Sequence, residues 1–230
     1  MKIGIIGSGN IGGALTRRFR AAGHEVEVAN SRGPASLADL ARETGARPAT
    51  VEEAARGKDL VVVTIPLIRI NDLAGLLANA PPDIVVVDTS NYYPRQRDGR
   101  IAAIEEGLTE SGWVQERLGH PVVKAFNNIY AKHLQENGKP AGAPGRIALP
   151  IAGDDPKAKA TVMRLVDEIG FDPVDAGTIA ESWRQQPGSP VYAKDYDAEG
   201  VRKALGEARK ERSPEWRATP NSPGTFASPA

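Results

Sequence analysis

Short apolar runs alternate with amphipathic stretches along most of the chain, and the fold is read from that alternation first. Lys2–Ile6 is almost wholly apolar and reads as a short buried strand. Asn10–Ala22 has helical spacing and stops at Gly23, and Glu25–Ala29 makes a second strand. Ser36–Thr44 repeats the helical spacing with Ser36 placed to cap it, and Ala46–Ala49 fits a short edge strand. Thr50 and Glu53 stand at capping-box spacing before the next helix. Asp59–Ile65 is a continuous aliphatic run, as expected of a strand covered on both faces. Ile68–Leu77 reads as a helix and Asp83–Val87 as a fifth strand. Helical stretches follow at Ile101–Glu106 and Thr109–Leu118, then a sixth strand at Pro121–Phe126 and a short helix at Ile129–Glu136.

After a proline- and glycine-rich loop, Arg146–Ala152 is a strand whose Pro150 favours a sheet edge or a strand end. Asp155 and Pro156 start a helix that reaches about Glu168, and Asp172–Asp175 is a last short strand. Val201–Glu211 is helical with a charged face. The stretch from Ser213 onward has no period, which predicts either disorder or an arm held by another subunit. The expected fold class is therefore α/β, a Rossmann-type doubly wound, mainly parallel sheet with a small C-terminal extension. Residues 1–177 form the nucleotide-binding domain and 178–230 the small C-terminal region with its proline-rich tail.

The turn between the first strand and the first helix carries Gly7, Gly9 and Gly12 in G-x-G-x-x-G spacing, together with Ser8, Asn10 and Ile11. In this setting Gly7 allows the tight turn, Gly9 leaves room for a pyrophosphate, and Gly12 lets helix and strand pack closely. The helix N-terminus then offers free N–H groups to an anion. The end of the second strand refines the picture. A site that prefers NAD places an acid there, whereas this chain reads Asn30-Ser31-Arg32. A hydroxyl and a guanidinium suit a 2′-phosphate, so the expected cofactor is NADP.

Composition narrows the class. The 230 residues carry 29 Lys plus Arg against 29 Asp plus Glu, which gives no global field for nucleic acid or an anionic membrane. The absence of cysteine excludes disulfides, thiolate metal sites and cysteine nucleophiles. No run approaches a membrane span, and MKIGIIG is too short for a signal peptide, so a soluble cytoplasmic protein is expected. The residues from Gly177 onward look too few and too polar for a core of their own, which favours a homodimer.

Ligands of open α/β sheets lie beyond the carboxyl ends of the strands. That nominates Thr64, Ile65 and Pro66 after the fourth strand, Ser90 within Asp88–Asn91 after the fifth, and Ala125, Phe126 and Asn127 after the sixth. Asp88–Asn91 also fits a polar turn, and Asn127–Asn128 also fits a cap for the following helix. His24, His120 and His133 read as structural or surface residues, and Trp113, Trp183 and Trp216 as packing or subunit contacts. No tyrosine is followed four positions later by lysine, no histidine has an evident carboxylate beside it, and no metal-ligand spacing occurs. No catalytic acid, base or metal ligand is assigned. Hydride exchange between two redox cofactors needs none, because the cofactors carry the chemistry.

The segments GSGNIGGALTRRFRAAGHEVEVANSR, VVVTIP, DTSN and VVKAFNNI resemble the coenzyme F420-dependent NADP oxidoreductases. They are similar also to the cytosolic NADPH-binding domain of the six-transmembrane metalloreductases. The resemblance runs from Met1 to about Gly177. It implies a Rossmann domain holding NADPH and a small C-terminal part that helps close a cleft for a deazaflavin. It places Ser8, Asn10 and Ile11 on the pyrophosphate and Ser31 and Arg32 on the 2′-phosphate. Pro66 and the Ala125–Asn127 backbone would then lie beside the nicotinamide. The chain departs from the F420 enzymes at Phe126-Asn127-Asn128 and in its C-terminal part. F420, a flavin or another small oxidant therefore stand as acceptors in that order. A non-catalytic NADP-binding or redox-sensing module is the alternative.

Overall fold

The computed structural model describes residues 1–77 and 80–219. Among the described residues the strands are β1 (Lys2–Ile6), β2 (Glu25–Ala29), β3 (Arg47–Pro48), β4 (Leu60–Val63), β5 (Val85–Asp88), β6 (Val123–Lys124), β7 (Ala148–Gly153) and β8 (Asp172–Asp175). They form one sheet in the order β3-β2-β1-β4-β5-β6-β7-β8. The pairs from β3 through β6 are parallel, β7 runs antiparallel to β6, and β8 is parallel to β7. The chain is a Rossmann-type α/β protein. Its strand order reverses beside β1, which opens a crevice at the carboxyl ends of β1 and β4.

The central strands are aliphatic throughout because helices cover both faces. Ile3, Ile5, Val62 and Val87 share one core with Leu15 and Phe19 of α1 (Asn10–Ala21), Leu134 of α6 (Ala131–Glu136) and Leu165 of α7 (Pro156–Glu168). Ile6, Val61, Val63 and Val86 face the opposite core. There they meet Ala54 of α3 (Val51–Ala55), Ile104 of α4 (Ala102–Glu105), and Trp113 and Leu118 of α5 (Glu110–Leu118). Thr50 and Glu53 form the expected capping box on α3. Arg18 of α1 donates from Nε to the Leu134 carbonyl at 3.0 Å, and burial lowers its pKa from the usual guanidinium value.

Several elements differ from the sequence reading, for physical reasons. The stretch after Pro66 is a 3-10 segment, Leu67–Leu73, which ends where Ala74 turns out of helical conformation at ψ 130°. Ser36 does not cap a helix. Its hydroxyl bonds Asn30 and the Gly33 carbonyl, inside the 3-10 turn Pro34–Leu37 that precedes α2 (Ala38–Thr44). The sixth strand shortens to two residues because β7 crosses back beside it after the Val123–Gly153 and Lys124–Ala152 pairs. Pro150 is not on the sheet edge, since β8 lies outside β7. The Ala148 N–H leaves the sheet for the Tyr196 carbonyl. Pro150, two residues on, faces the same side, where the Gln185 side chain rather than a strand meets its carbonyl at 3.2 Å.

The C-terminal region docks on its own chain. The 3-10 segment Ile179–Gln185 and α8 (Ala198–Glu207) pack on β7 and β8, where Val191, Val201, Ala204 and Leu205 meet Ala148, Ala152 and Val174. Residues 213–219, expected to be disordered or held by another subunit, lie instead against this chain. The Trp216 ring packs on those of Tyr93 and Tyr192, and Arg217 pairs with Glu105. Residues 220–230 of the tail fall outside the described residues.

A Cβ on Gly4 would stand 1.7 Å from the Ala54 carbonyl oxygen, so α3 lies on bare backbone. Gly4→Ala is expected to cost about 3 kcal/mol in chemical denaturation. Gly206→Ala in α8, where nothing lies within 4 Å, is the control and should be neutral or gain up to ~1 kcal/mol.

Candidate functional site

The glycine turn is built by contact on two sides and left open on the third. Gly7 has φ 112°, and its N–H bonds the Ala29 carbonyl at 2.8 Å. A Cβ there would meet the Thr64 carbonyl oxygen at 2.1 Å, and one on Gly12 would meet the Gly7 carbonyl oxygen at 1.9 Å. Gly9 is different. It has φ −69°, and a Cβ there would meet nothing within 4 Å. The space over Gly9 is the approach to the N-terminus of α1, which has no side-chain cap and no acid in its first turn. The first-turn N–H groups therefore face an opening suited to an anion.

Asn30 joins this turn to the end of β2. Its amide donates to Ser8 Oγ and Ser36 Oγ, each at 3.0 Å, and its Oδ1 accepts from the Arg32 N–H at 2.9 Å. Ser31 and Arg32 are exposed just beyond, and among the described residues no group pairs with the Arg32 side chain. Ser8, Gly9, Asn10, Arg32 and Leu37 line a cleft of about 610 Å3, whose far wall is Ala131, Lys132 and Gln135 of α6. Arg17 and Asp39 also border it, but each is engaged elsewhere, Arg17 with Glu43 at 2.6 Å and Asp39 with Arg42 at 2.9 Å.

The remaining sequence-nominated residues lie on α1 and beyond the ends of β4, β5 and β6, and do not line this cleft. Thr64 and Ile65 are half-buried beside Gly7, Ile11 is half-buried on α1, and Pro66 is exposed. Ala125 bonds its N–H to the Asp88 carbonyl at 3.1 Å. Phe126 has φ 62°, a left-handed conformation costly for a bulky side chain. It is held by its ring, which is buried edge-on against Phe19 with centroids 6.4 Å apart. The Asn127 side chain does not cap α6. It exchanges hydrogen bonds with the Asn91 amide at 3.0 Å and with Gln185 at 2.7 and 3.0 Å. Asn128 is also buried, and among the described residues neither polar atom of its side chain has a partner. Ser90 is turned inward. Its N–H and Oγ both donate to Asp88 Oδ1, at 2.9 and 2.5 Å.

Behind Ser90 lies a group of charges that the sequence reading missed. Lys124, on β6, is fully buried and donates to the Ser90 carbonyl at 2.9 Å, with Glu110 Oε2 at 3.5 Å and Asp88 Oδ2 at 3.9 Å. Ser111 donates to Asp88 at 2.6 Å, and Arg212 from the C-terminal segment pairs with Glu110. The signal was a lysine inside the apolar run PVVKAF, since a lysine there must find a counter-charge. Two histidines also have carboxylate partners that spacing did not reveal. His24 Nε2 lies 3.1 Å from Glu168 and His133 Nδ1 lies 2.6 Å from Asp195. His24 precedes β2, at the strand end away from the glycine turn. His133 stands on α6 with its ring 5.4 Å from that of Tyr130.

With this geometry in place, comparison with known proteins gives a family. Residues 2–92, from β1 through the loop after β5, match the family described as NADP oxidoreductase, coenzyme F420-dependent. That stretch is 91 of the 230 residues, and over it the chain is similar to the F420-dependent NADP oxidoreductases. A solved structure of the hypothetical protein SMa0349 from Sinorhizobium meliloti is 33% identical, with a TM-score of 0.73. The match covers 85% of this chain and 95% of that one. The protein YjhV of Escherichia coli (strain K12) is 47% identical over 77 residues, which is 34% of this chain and 56% of YjhV. The metalloreductase STEAP3 of Rattus norvegicus is 29% identical over 182 residues, 79% of this chain and 35% of STEAP3. The chain thus spans about half or less of the length of these curated relatives. No helix among the described residues is long and apolar enough to cross a membrane, and none of their acidic and histidine side chains cluster as a metal site.

The residues of the glycine turn fit the dinucleotide that the matched family description implies. The empty approach over Gly9 and the uncapped α1 N-terminus suit a pyrophosphate, and the orphaned Asn128 amide lies next to Asn127 on the strand-end wall. The two glycines separate structure from binding. Gly9→Ala should change stability by less than about 0.5 kcal/mol while weakening dinucleotide binding at least about tenfold. Gly12→Ala should instead destabilise by about 3 kcal/mol. Thermal melting and titration calorimetry on both variants check this.

Proposed function

We propose that the chain is an NADPH-dependent oxidoreductase that passes hydride between NADP(H) and a second redox cofactor, F420 or flavin-like. The observation that carries this reading is the end of β2. No acid stands there, and Arg32, whose guanidinium has no partner among the described residues, lines the cleft that runs to Gly9, with Ser31 exposed beside it. A carboxylate at that place would repel a 2′-phosphate, whereas a guanidinium binds one through charge-assisted hydrogen bonds.

Each part of the wall has a task under this reading. Asn30 holds the Ser31–Arg32 loop on the glycine turn, so the two anion-binding places keep a fixed separation. Ile11, Ile65 and Pro66 give an apolar border that keeps water from the reacting face. The Ala125–Asn127 backbone and the free Asn128 amide supply donors and acceptors for a carboxamide or for the polar edge of a flat acceptor. Bound NADPH supplies the hydride, and two aligned redox cofactors need no protein acid or base. The family description supports F420 as the first acceptor to test.

Arg32→Ala should weaken NADPH binding by about 10- to 100-fold and leave NADH binding within about twofold, because the lost interaction is with the 2′-phosphate alone. Titration of both cofactors against wild type and variant measures it. Equal affinity of the wild type for NADH and NADPH would overturn the NADP assignment. Oxidation of NADPH assayed with F420, FMN, FAD and ferric chelates then decides the reaction. Tight NADPH binding without turnover of any acceptor favours the non-catalytic binding module.

A further inference from the structure

Four side chains behind the Ser90–Asn91 loop bring charge into the protein interior. Asp88 of β5, Glu110 of α5 and Lys124 of β6 have side chains that are 0, 1 and 0% exposed. The fourth is Arg212, 9% exposed, carried by the segment that follows α8. Two negative charges and one positive charge come from the sheet and α5, and the balance closes only with Arg212. The phenols of Tyr93 and Tyr192, whose pKa values burial raises, face Glu110, and Gln186 accepts from Arg212 at 3.1 Å. The neighbouring charges pair among themselves, Arg97 with Asp98 and Arg217 with Glu105. An uncompensated charge in such a place is strongly destabilising, so the group tolerates a change in charge poorly and a balanced exchange well.

The same group touches the candidate site at one atom. Lys124 Nζ donates to the Ser90 carbonyl at 2.9 Å while standing 3.5 Å from Glu110. The next residue, Asn91, bonds the Asn127 carbonyl at 2.8 Å. If Glu110 loses Arg212, its nearest remaining counter-charge is Lys124, and the lysine is drawn from Ser90 toward the carboxylate. The segment is seated at further points. The Trp216 ring lies 6.1 and 6.0 Å from those of Tyr93 and Tyr192, and the Ala218 N–H bonds Glu105 at 2.8 Å.

We propose that Arg212 is a positioning residue of the site: by neutralising Glu110 it leaves Lys124 on the Ser90 carbonyl and so fixes the Ser90–Asn91–Asn127 wall. The adenine side of the cleft, at Arg32 and Gly9, does not depend on it. The effect on turnover rests on the oxidoreductase reading above, but the effect on the wall does not.

The test is a charge cycle in the full chain. Arg212→Met leaves one negative charge in excess, Glu110→Gln leaves one positive charge in excess, and the double variant is balanced. Hydrogen exchange of the amides at residues 89–92 reads the wall without any acceptor. Each single variant should speed that exchange about tenfold, and the double variant should return to within about threefold of wild type. NADPH affinity should stay within about threefold throughout. With F420 or FMN as the probe, kcat should fall in the singles and recover in the double. A double variant as perturbed as the worse single, or singles that exchange like wild type, would overturn the proposal. Arg212→Lys keeps the charge. It should exchange like wild type, and the proposal fails if it exchanges as Arg212→Met does, or unfolds. A wild type that turns over no acceptor defeats the oxidoreductase reading, while the exchange pattern still decides this one.

Discussion

Backbone pressed on backbone where β1 and β4 end is the constraint on which the rest of the structure depends. Gly7 lies against the Thr64 carbonyl, Gly12 against the Gly7 carbonyl, and the Gly7 N–H closes on Ala29. That single turn therefore sets the spacing of three strand ends. It also fixes where α1 begins, and through it where free amides face outward. A side chain on Gly7 or Gly12 would have to push strand from strand or helix from sheet, whereas one on Gly9 would intrude only on a bound molecule. The glycines are thus of two kinds, although the sequence spaces them as one motif.

The central aliphatic runs and the glycine turn were legible because their causes are local: period, turn chemistry and capping all act within a few residues. Thr50 with Glu53 is a clear case, as both capping bonds form. The parts that were not legible depend on distant partners. Ser36 is taken by Asn30 across a loop, Asn127 by Gln185 across 58 positions, and Glu110 by Arg212 across 102. Nothing in the neighbourhood of Arg212 distinguishes it from the other charges of a polar tail. Lys124 did carry a local signal, because a lysine between Val123 and Ala125 contradicts its surroundings. The reversal of β7 left only the oblique sign of Pro150, which sits where the ladder toward β6 has ended.

Local cost gathers at one end of the sheet. Phe126 is in a left-handed conformation, the Asn128 amide has no partner among the described residues, and charges are buried behind Ser90. Each would be removed by a simpler residue at its position if packing were the only demand. They are concentrated beyond β5 and β6, the end of the sheet at which strain and buried polarity are often tied to function. The energy that maintains them comes from the two apolar cores on either side of the sheet and from the Phe126 ring itself.

The position of Arg212 in the chain has a consequence for biosynthesis. During translation β1 through β6 and α1 through α6 leave the ribosome well before residue 212 is made. The nascent protein can then form its aliphatic sheet and its glycine turn while Lys124, Glu110 and Asp88 remain unbalanced. The charge behind Ser90 is balanced last, by a segment that reaches Glu110 of α5 and Glu105 of α4. Synthesis thus supplies the residues of the cleft before the charge that balances Glu110, and a chain that stops short of Arg212 would leave that carboxylate with Lys124 alone.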